Sequence, residues 1–524
     1  MENSKLDSME WYRTKWFTGA VFILIFACLY WIYSYNLTFA QPPQSVHTWR
    51  QTNSLSMTQI YYQDRVPFAE PEIHNRISDD GLSGKRAGEF PIIYYLVAKI
   101  WTFTGQSEWI FRFLHYLLLM TGSFLLFRMV EKLTGNAIIA GFVGLLAMTS
   151  PMVIFYGPNF LPDAPSQAFV LIAWYFLHAF VQQKKMSALW LSALFFFLAI
   201  SLKITAATSF IAIGGWVLLE NIFLPSGKRI FNFRLRHYLP FVVAVGALVI
   251  WYAYVYYYTG IHKGSFSYMG IWPVWKMTAE QFHRITDTLD KIWFREFFWP
   301  PLQYTTLAIW LFLLTQWKKL PLFLCYMLVI MPLGLAGILA LWFQVLEGHD
   351  YYLITQIQTL LVIWIVFFLY LKERKLTASR VVNIVLVMVL VTLVLNGQKR
   401  HSERYSGWMN EGYKLHFEAL TTIQPFFAQW GISEKDLVIS LPDPSINASL
   451  YYMNRKGYTD FASDFSKEET FVKRIAQGAK YLVVNDTTIL SRPEVARFAK
   501  YPAGQYLNVK VFDLRPFSPE NRND

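Results

Sequence analysis

Apolar runs of about 20 residues, nearly bare of charge, recur through roughly the first 400 positions of this chain. No other feature constrains its fold as much. A run of that length is what an α-helix needs to cross about 30 Å of hydrocarbon. Only helices and closed barrels satisfy every backbone polar group there. The sequence predicts eleven spans, at 16–34, 109–130, 137–156, 163–182, 187–202, 204–223, 238–258, 300–316, 320–344, 351–371 and 380–397. Composition agrees: of 524 residues, 54% are hydrophobic and 16% charged, against about 25% charged in soluble chains. Disorder, a coiled coil and a small disulfide scaffold are excluded. The two cysteines, Cys28 and Cys325, sit inside apolar runs and read as small packing residues. The first run lacks a small-residue cleavage site and leads into Trp31, Tyr33 and Tyr35, so it reads as an anchor.

The net charge is 47 − 35 = +12, and its placement decides its meaning. With a cytoplasmic start, the inside segments hold Lys5, Arg13 and Lys15, then Arg128 and Lys132, then Lys184 and Lys185. Lys228, Arg229, Arg234 and Arg236 follow, then Lys318 and Lys319, then Lys372, Arg374, Lys375 and Arg380. The outside turns at 157–162 and 345–350 carry no Lys or Arg. This is the positive-inside asymmetry. The basic balance records topology, and nucleic acid is not an expected partner.

Three expected outside regions are too long to be turns. The first, 36–108, contains His47-Thr-Trp-Arg50-Gln51, a helical stretch over about 49–62, and an apolar segment at 91–104 too short to span, hence re-entrant or interfacial. The second, 259–299, is dense in tryptophan, with Trp272, Trp275, Trp293 and Trp299, as at a headgroup interface. The third, 398–524, has the composition of a soluble domain. Apolar runs at 437–440, 481–484 and 509–512 read as strands, with a helix at 467–477 stopped by Gly478. A small α/β domain is expected there, after a membrane module at 1–397.

Ionisable groups at a membrane are costly and need a reason. Under the predicted topology, those at the spans gather on the outer side: Glu89, Asp163, Lys203, Glu347, His349 and Asp350. Each has a plain alternative. Asp163 is either a helix cap or a site group, and Glu89 either a solvated loop charge or a site group. Lys203 either snorkels or meets a lipid phosphate. His349-Asp350-Tyr351-Tyr352 is either an aromatic belt or part of a site. His47 and Arg50 are either structural or functional. Arg112 and His115 read as packing groups of the bundle. Asp79-Asp80-Gly81 reads as a turn, with metal ligation as the less simple alternative. No nucleotide-binding loop and no zinc-binding helix motif occurs.

The words His47-Thr-Trp-Arg50-Gln51, Glu89-Phe-Pro-Ile-Ile-Tyr-Tyr, Phe160-Leu-Pro-Asp163, Leu202-Lys203-Ile-Thr and Gly348-His349-Asp350-Tyr351-Tyr352 stand in this order over about 20–400. The chain thereby resembles the GT-C superfamily of membrane glycosyltransferases, and is similar to its bacterial protein O-mannosyltransferase and lipid A aminoarabinose transferase type members. That resemblance implies an α-helical polytopic protein of the bacterial inner membrane, its N-terminus cytoplasmic and its C-terminal domain periplasmic. It implies an inverting transfer of sugar from a polyprenyl-phosphate carrier to a hydroxyl of a lipid, glycan or protein acceptor. Asp163 and Glu89 would be the catalytic acids. His47, Arg50, Gln51, Lys203, His349, Asp350, Tyr351 and Tyr352 would bind substrate. No cofactor is assigned, and a divalent cation stays open. One departure stands out: many GT-C enzymes place an acidic pair soon after the first span, whereas here no Asp or Glu lies between residues 17 and 63. The rival reading is a transporter or lipid flippase of envelope glycan assembly, for which inverted repeats and midplane polar groups are the signature.

Overall fold

Each predicted apolar run forms helix. A computed structural model of the protein describes residues 15–264, 270–461 and 463–518; the basic residues Lys5 and Arg13 lie outside them. Among the described residues, eight helices are long and apolar enough to cross a membrane. They are Lys15–Ile32, Glu108–Thr134, Asp163–Gln183, Ile204–Phe223, Leu235–Ile261, Leu322–Glu347, Asp350–Glu373 and Arg380–Ser406. The three other expected spans are shorter or broken. The run 137–156 divides at Ser150, which is extended at φ −72°, ψ 121° before Pro151. A residue preceding proline is pushed out of helical geometry, so helix stops there. Met186–Leu202 is a 17-residue helix. Pro300–Thr315 meets Ala279–Phe297 at a 90° bend.

The chain divides into two compact units. The membrane unit holds 15–39, Arg112–Trp251 and Gly270–Ser402. Two of its helices are its buried centre: 67% of the apolar window of Asp163–Gln183 is buried, and 78% of that of Asp350–Glu373. Arg380–Ser406, at 17%, lies at its periphery. Both central helices open with an acid, Asp163 and Asp350.

The other unit joins Ala40–Phe111, 252–264 and 403–518. Its sheet has five strands: β1 Leu437–Leu441, β2 Gly457–Tyr458, β3 Ala479–Val484, β4 Pro502–Tyr506 and β5 Val509–Asp513. Their order is β2-β1-β3-β5-β4, with β1 parallel to β2 and β3, and the remaining pairs antiparallel. Central β1 and β3 are almost continuously apolar and buried, as strands covered on both faces must be. Pro502 opens β4 at the sheet's edge, where a missing N–H does least harm. The helix Glu468–Ala476 lays Phe471 and Ile475 on the core, and Gly478 at φ +100° ends the turn that follows.

The early loop extends this sheet. Asn75 bridges Gly457 in parallel, the Gly457 N–H donates to the His74 carbonyl at 3.1 Å, and the Arg76 N–H donates to the Gly457 carbonyl at 2.9 Å. The Asn75 amide also donates to the Ile446 carbonyl at 2.6 Å and to Thr459 Oγ1 at 3.0 Å.

Candidate active site

In the loop-and-tail unit, the helix Thr48–Gln63 is polar and yet buried along most of its length. A polar helix survives burial only when its side chains find partners, and these do. The Gln51 amide donates to the Gln44 and Val46 carbonyls at 2.9 Å each, folding the preceding loop onto the first turn. Arg86 donates to Asn53 at 2.7 Å. His47 is the N-cap residue at φ +55°, without a side-chain cap bond; Trp49 Nε1 donates to its Nδ1 at 3.3 Å. From the first turn, Arg50 forms an ion pair with Glu89, with side chains 7% and 14% exposed. Glu89 stands two residues before Pro91, the N-cap of the apolar helix Ile92–Thr104.

The membrane unit carries a second cluster. Asp163 is fully buried as the first residue of its helix; the cap position falls on Pro162, and no side-chain cap bond is made. Asp163 therefore stands inside the helix, one residue past the cap position. Its Oδ1 lies 3.0 Å from Lys203 Nζ. Lys203 occupies an extended joint (φ −150°, ψ 113°) between Met186–Leu202 and the turn Ile204–Ala206. The same ammonium sits 3.7 Å from the ring centre of Tyr352 and 5.1 Å from that of Tyr351. Desolvated cation–π contacts of this kind are worth about 2 kcal/mol. Asp350, also fully buried, accepts a hydrogen bond from Tyr156 at 2.7 Å. His349 Nδ1 is 3.1 Å from the Val345 carbonyl, and its ring packs edge-on against Tyr351 and Tyr352. Asp163, Lys203, Tyr351 and Tyr352 thus form one contact group, with His349 touching it through the tyrosines.

Other candidates resolve into structure. Arg112 donates to Asn159 at 3.0 Å and to the Thr38 and Phe39 carbonyls at 2.9 Å, and His115 meets the Asn159 carbonyl at 2.6 Å; both pack the bundle. Glu347 takes a two-pronged grip from exposed Arg284 at 2.7 and 3.1 Å. Asp79 meets His262 Nδ1 at 3.1 Å and Asp80 pairs with Lys263 at 2.7 Å, so the side chains of residues 262 and 263 hold the turn. Among the described residues, no group of three or more His, Cys, Asp and Glu side chains could hold a metal ion.

Some site-supporting residues escape sequence reasoning. Tyr156, read only as apolar, holds Asp350. Thr205 and Thr355 hydroxyls meet at 2.8 Å and Gln356 donates to the Thr205 carbonyl at 3.0 Å, which ties the Lys203 joint to the segment bearing the tyrosines. The only signal was three polar residues, Thr355, Gln356 and Gln358, interrupting an apolar run. Glu220 is buried near the end of the helix Ala207–Phe223. It accepts the backbone N–H groups of Ile230, Phe231 and Asn232 at 2.8–3.0 Å and serves the loop.

Known proteins share this architecture. Residues 88–257, which include Glu89, Asp163 and Lys203, match the family model of dolichyl-phosphate-mannose-protein mannosyltransferase. Comparison with curated protein sequences gives no match. Among solved structures, ArnT from Cupriavidus metallidurans in its apo state superposes with a TM-score of 0.58 at 11% identity, over 95% of this chain and 98% of that one. The same protein bound to undecaprenyl phosphate gives 0.56 at 12%, over 94% and 97%. The oligosaccharyltransferase of Archaeoglobus fulgidus gives 0.54 at 12%, over 90% and 68%. By fold, this chain is similar along most of its length to ArnT of Cupriavidus metallidurans and to the Archaeoglobus fulgidus oligosaccharyltransferase.

Proposed function

We propose that the chain is an inverting glycosyltransferase that moves a sugar from a polyprenyl-phosphate carrier to an acceptor hydroxyl at the outer face of the bacterial inner membrane. The observation that carries this reading is the buried Lys203, set between Asp163 and the rings of Tyr351 and Tyr352 at the joint of two membrane helices. A compact, desolvated ammonium suits the phosphate of a lipid carrier. The undecaprenyl phosphate bound by ArnT from Cupriavidus metallidurans supports a donor of that class.

Inversion requires one displacement. The acceptor oxygen attacks the anomeric carbon, the bond from that carbon to the phosphate oxygen breaks, and the carrier phosphate leaves with the electron pair. The acceptor proton goes to a carboxylate. Glu89, with an edge open to solvent, is suited to take it, and Arg50 holds it in place. Asp163, fully enclosed, is suited to hold Lys203, which offsets the charge gathering on the leaving phosphate. Tyr351, Tyr352 and His349 position the donor, and Asp350 fixes their segment through Tyr156. His47 and Gln51 shape the loop before Arg50 and contribute to substrate binding. The N-terminus is cytoplasmic and the tail periplasmic in this reading.

The test is mass spectrometry of envelope lipids, glycans and glycoproteins from cells with and without the gene, and with single variants. Loss of one sugar residue is expected without the gene. Glu89→Gln should lower transfer ~100-fold or more, and Asp163→Asn should lower it sharply while raising the donor concentration needed. Near-normal transfer by both variants would overturn the assigned mechanism.

A further inference from the structure

Far along the helix that carries Arg50, a cavity opens within the same unit. It has a volume of about 640 Å³, within the range of small-molecule pockets. Arg50 and Ile60, the first residue of that helix to line it, are ten residues apart, so the cavity begins roughly 15 Å along the helix from Arg50. It is built by the helix's last turn, the 74–76 segment that extends the sheet, and the starts of β1 and β2.

Its charges are unbalanced. Arg65, Arg76, Lys435 and Lys456 line it against Asp64 and Glu434. Asp64 is already neutralised by its ion pair with Lys456. That leaves three cations facing one acid. His74, at 1% exposure, closes the cavity's inner side, with Nδ1 2.8 Å from Ser56 Oγ. Burial first, and then the Lys456 charge, push it down to about 4, so it stays neutral at physiological pH and presents a hydrogen-bonding ring, not a further charge. Beside these groups stand the Tyr62 ring and the amides of Gln63 and Asn454. An aromatic face and amides match the C–H faces and hydroxyls of a sugar, while guanidinium and ammonium groups match phosphate or carboxylate.

We propose that this cavity is a binding site for an anionic carbohydrate, a sugar bearing phosphate or carboxylate, distinct from the candidate active site. Naming that sugar as part of the acceptor rests on the transferase reading above; the cavity's preference for an anionic sugar does not. Two of its cations, Arg65 and Lys435, are exposed and hold no part of the fold together among the described contacts, so removing them tests the site without dismantling it.

The experiment is saturation-transfer NMR on the full chain in detergent micelles, with glucose 6-phosphate, glucuronate, glucose and inorganic phosphate as separate probes. Saturation transfer is read from the sugar protons, and ³¹P line broadening reports inorganic phosphate. Either or both anionic sugars should bind, the stronger one naming the charged group, and glucose should bind at least ~10-fold more weakly. The Arg65→Gln/Lys435→Gln variant should bind the anionic sugar ~10-fold or more weakly, and Glu89→Gln should bind it as the wild type does. Equal binding of glucose, equal binding by the double variant, or inorganic phosphate binding as well as its sugar ester would each overturn the proposal. A wild-type protein that binds the anionic sugar but transfers none in cells would overturn the proposed function and leave this site standing.

Discussion

A buried lysine held by one carboxylate and two tyrosine rings has little freedom to lose either partner. Lys203→Met would remove the buried ammonium beside Asp163, and breaking a buried pair from one side costs about 3–5 kcal/mol. Thermal unfolding in detergent should show that loss, and Asp163→Asn combined with Lys203→Met should recover part of it; additive losses would mean the two do not act as a pair. His74 gives a signed pH effect. Its folded pKa, about 4, lies below the ordinary 6.5, so the unfolded chain binds the proton more readily. Stability should therefore fall as pH drops from about 6.5 towards 4, by up to about 3 kcal/mol. His74→Gln should flatten that slope, as melting curves at pH 7.5 and pH 5 would report. At this scale the sequence was informative about which residues matter. Asp163, Lys203, Glu89 and Arg50 each stand out as charged groups beside apolar runs. It was silent about pairing, because Arg50 meets Glu89 across 39 residues of chain and only tertiary structure brings them together.

Elements were legible where their pattern was strong. The long apolar helices and strands β1, β3 and β5 all follow contiguous or periodic apolar runs. β2 is two residues long, and β4 contains Pro502 and Gly504, so neither carries a strand's usual composition. Both exist because neighbouring strands supply partners. Gly457 in β2 is tightly confined by backbone: an added Cβ would lie 1.9 Å from the Val438 carbonyl oxygen. Gly457→Ala should displace β2 and, with it, the hydrogen bonds to the His74–Arg76 segment. A destabilisation of about 1–3 kcal/mol is expected, with faster proteolysis near residues 74–76 as its local marker. Unchanged protection there would show that the segment is held by other contacts.

Across the whole molecule, hydropathy located the membrane helices and charge supplied an orientation. The two compact units were harder to read, since one of them gathers stretches from three separated parts of the chain. Composition marks residues 398–524 as soluble, but nothing local says that 40–111 folds with them. The orientation itself is testable. In a background with Cys28 and Cys325 replaced, a single cysteine at exposed Lys435 should react with a membrane-impermeant maleimide in intact spheroplasts, and one at exposed Lys185 only after lysis. The reverse pattern would invert the proposed topology.

The bridge between Asn75 and the tail also sets a timetable. Asn75 and Thr459 are 384 residues apart, so at ~5–20 residues per second the ribosome needs roughly 20–80 s to deliver the second after the first. Throughout that interval the early segment exists without its strand partner. Messages that end before the tail would yield chains whose helices can insert but whose early loop never closes, leaving them open to quality-control proteases.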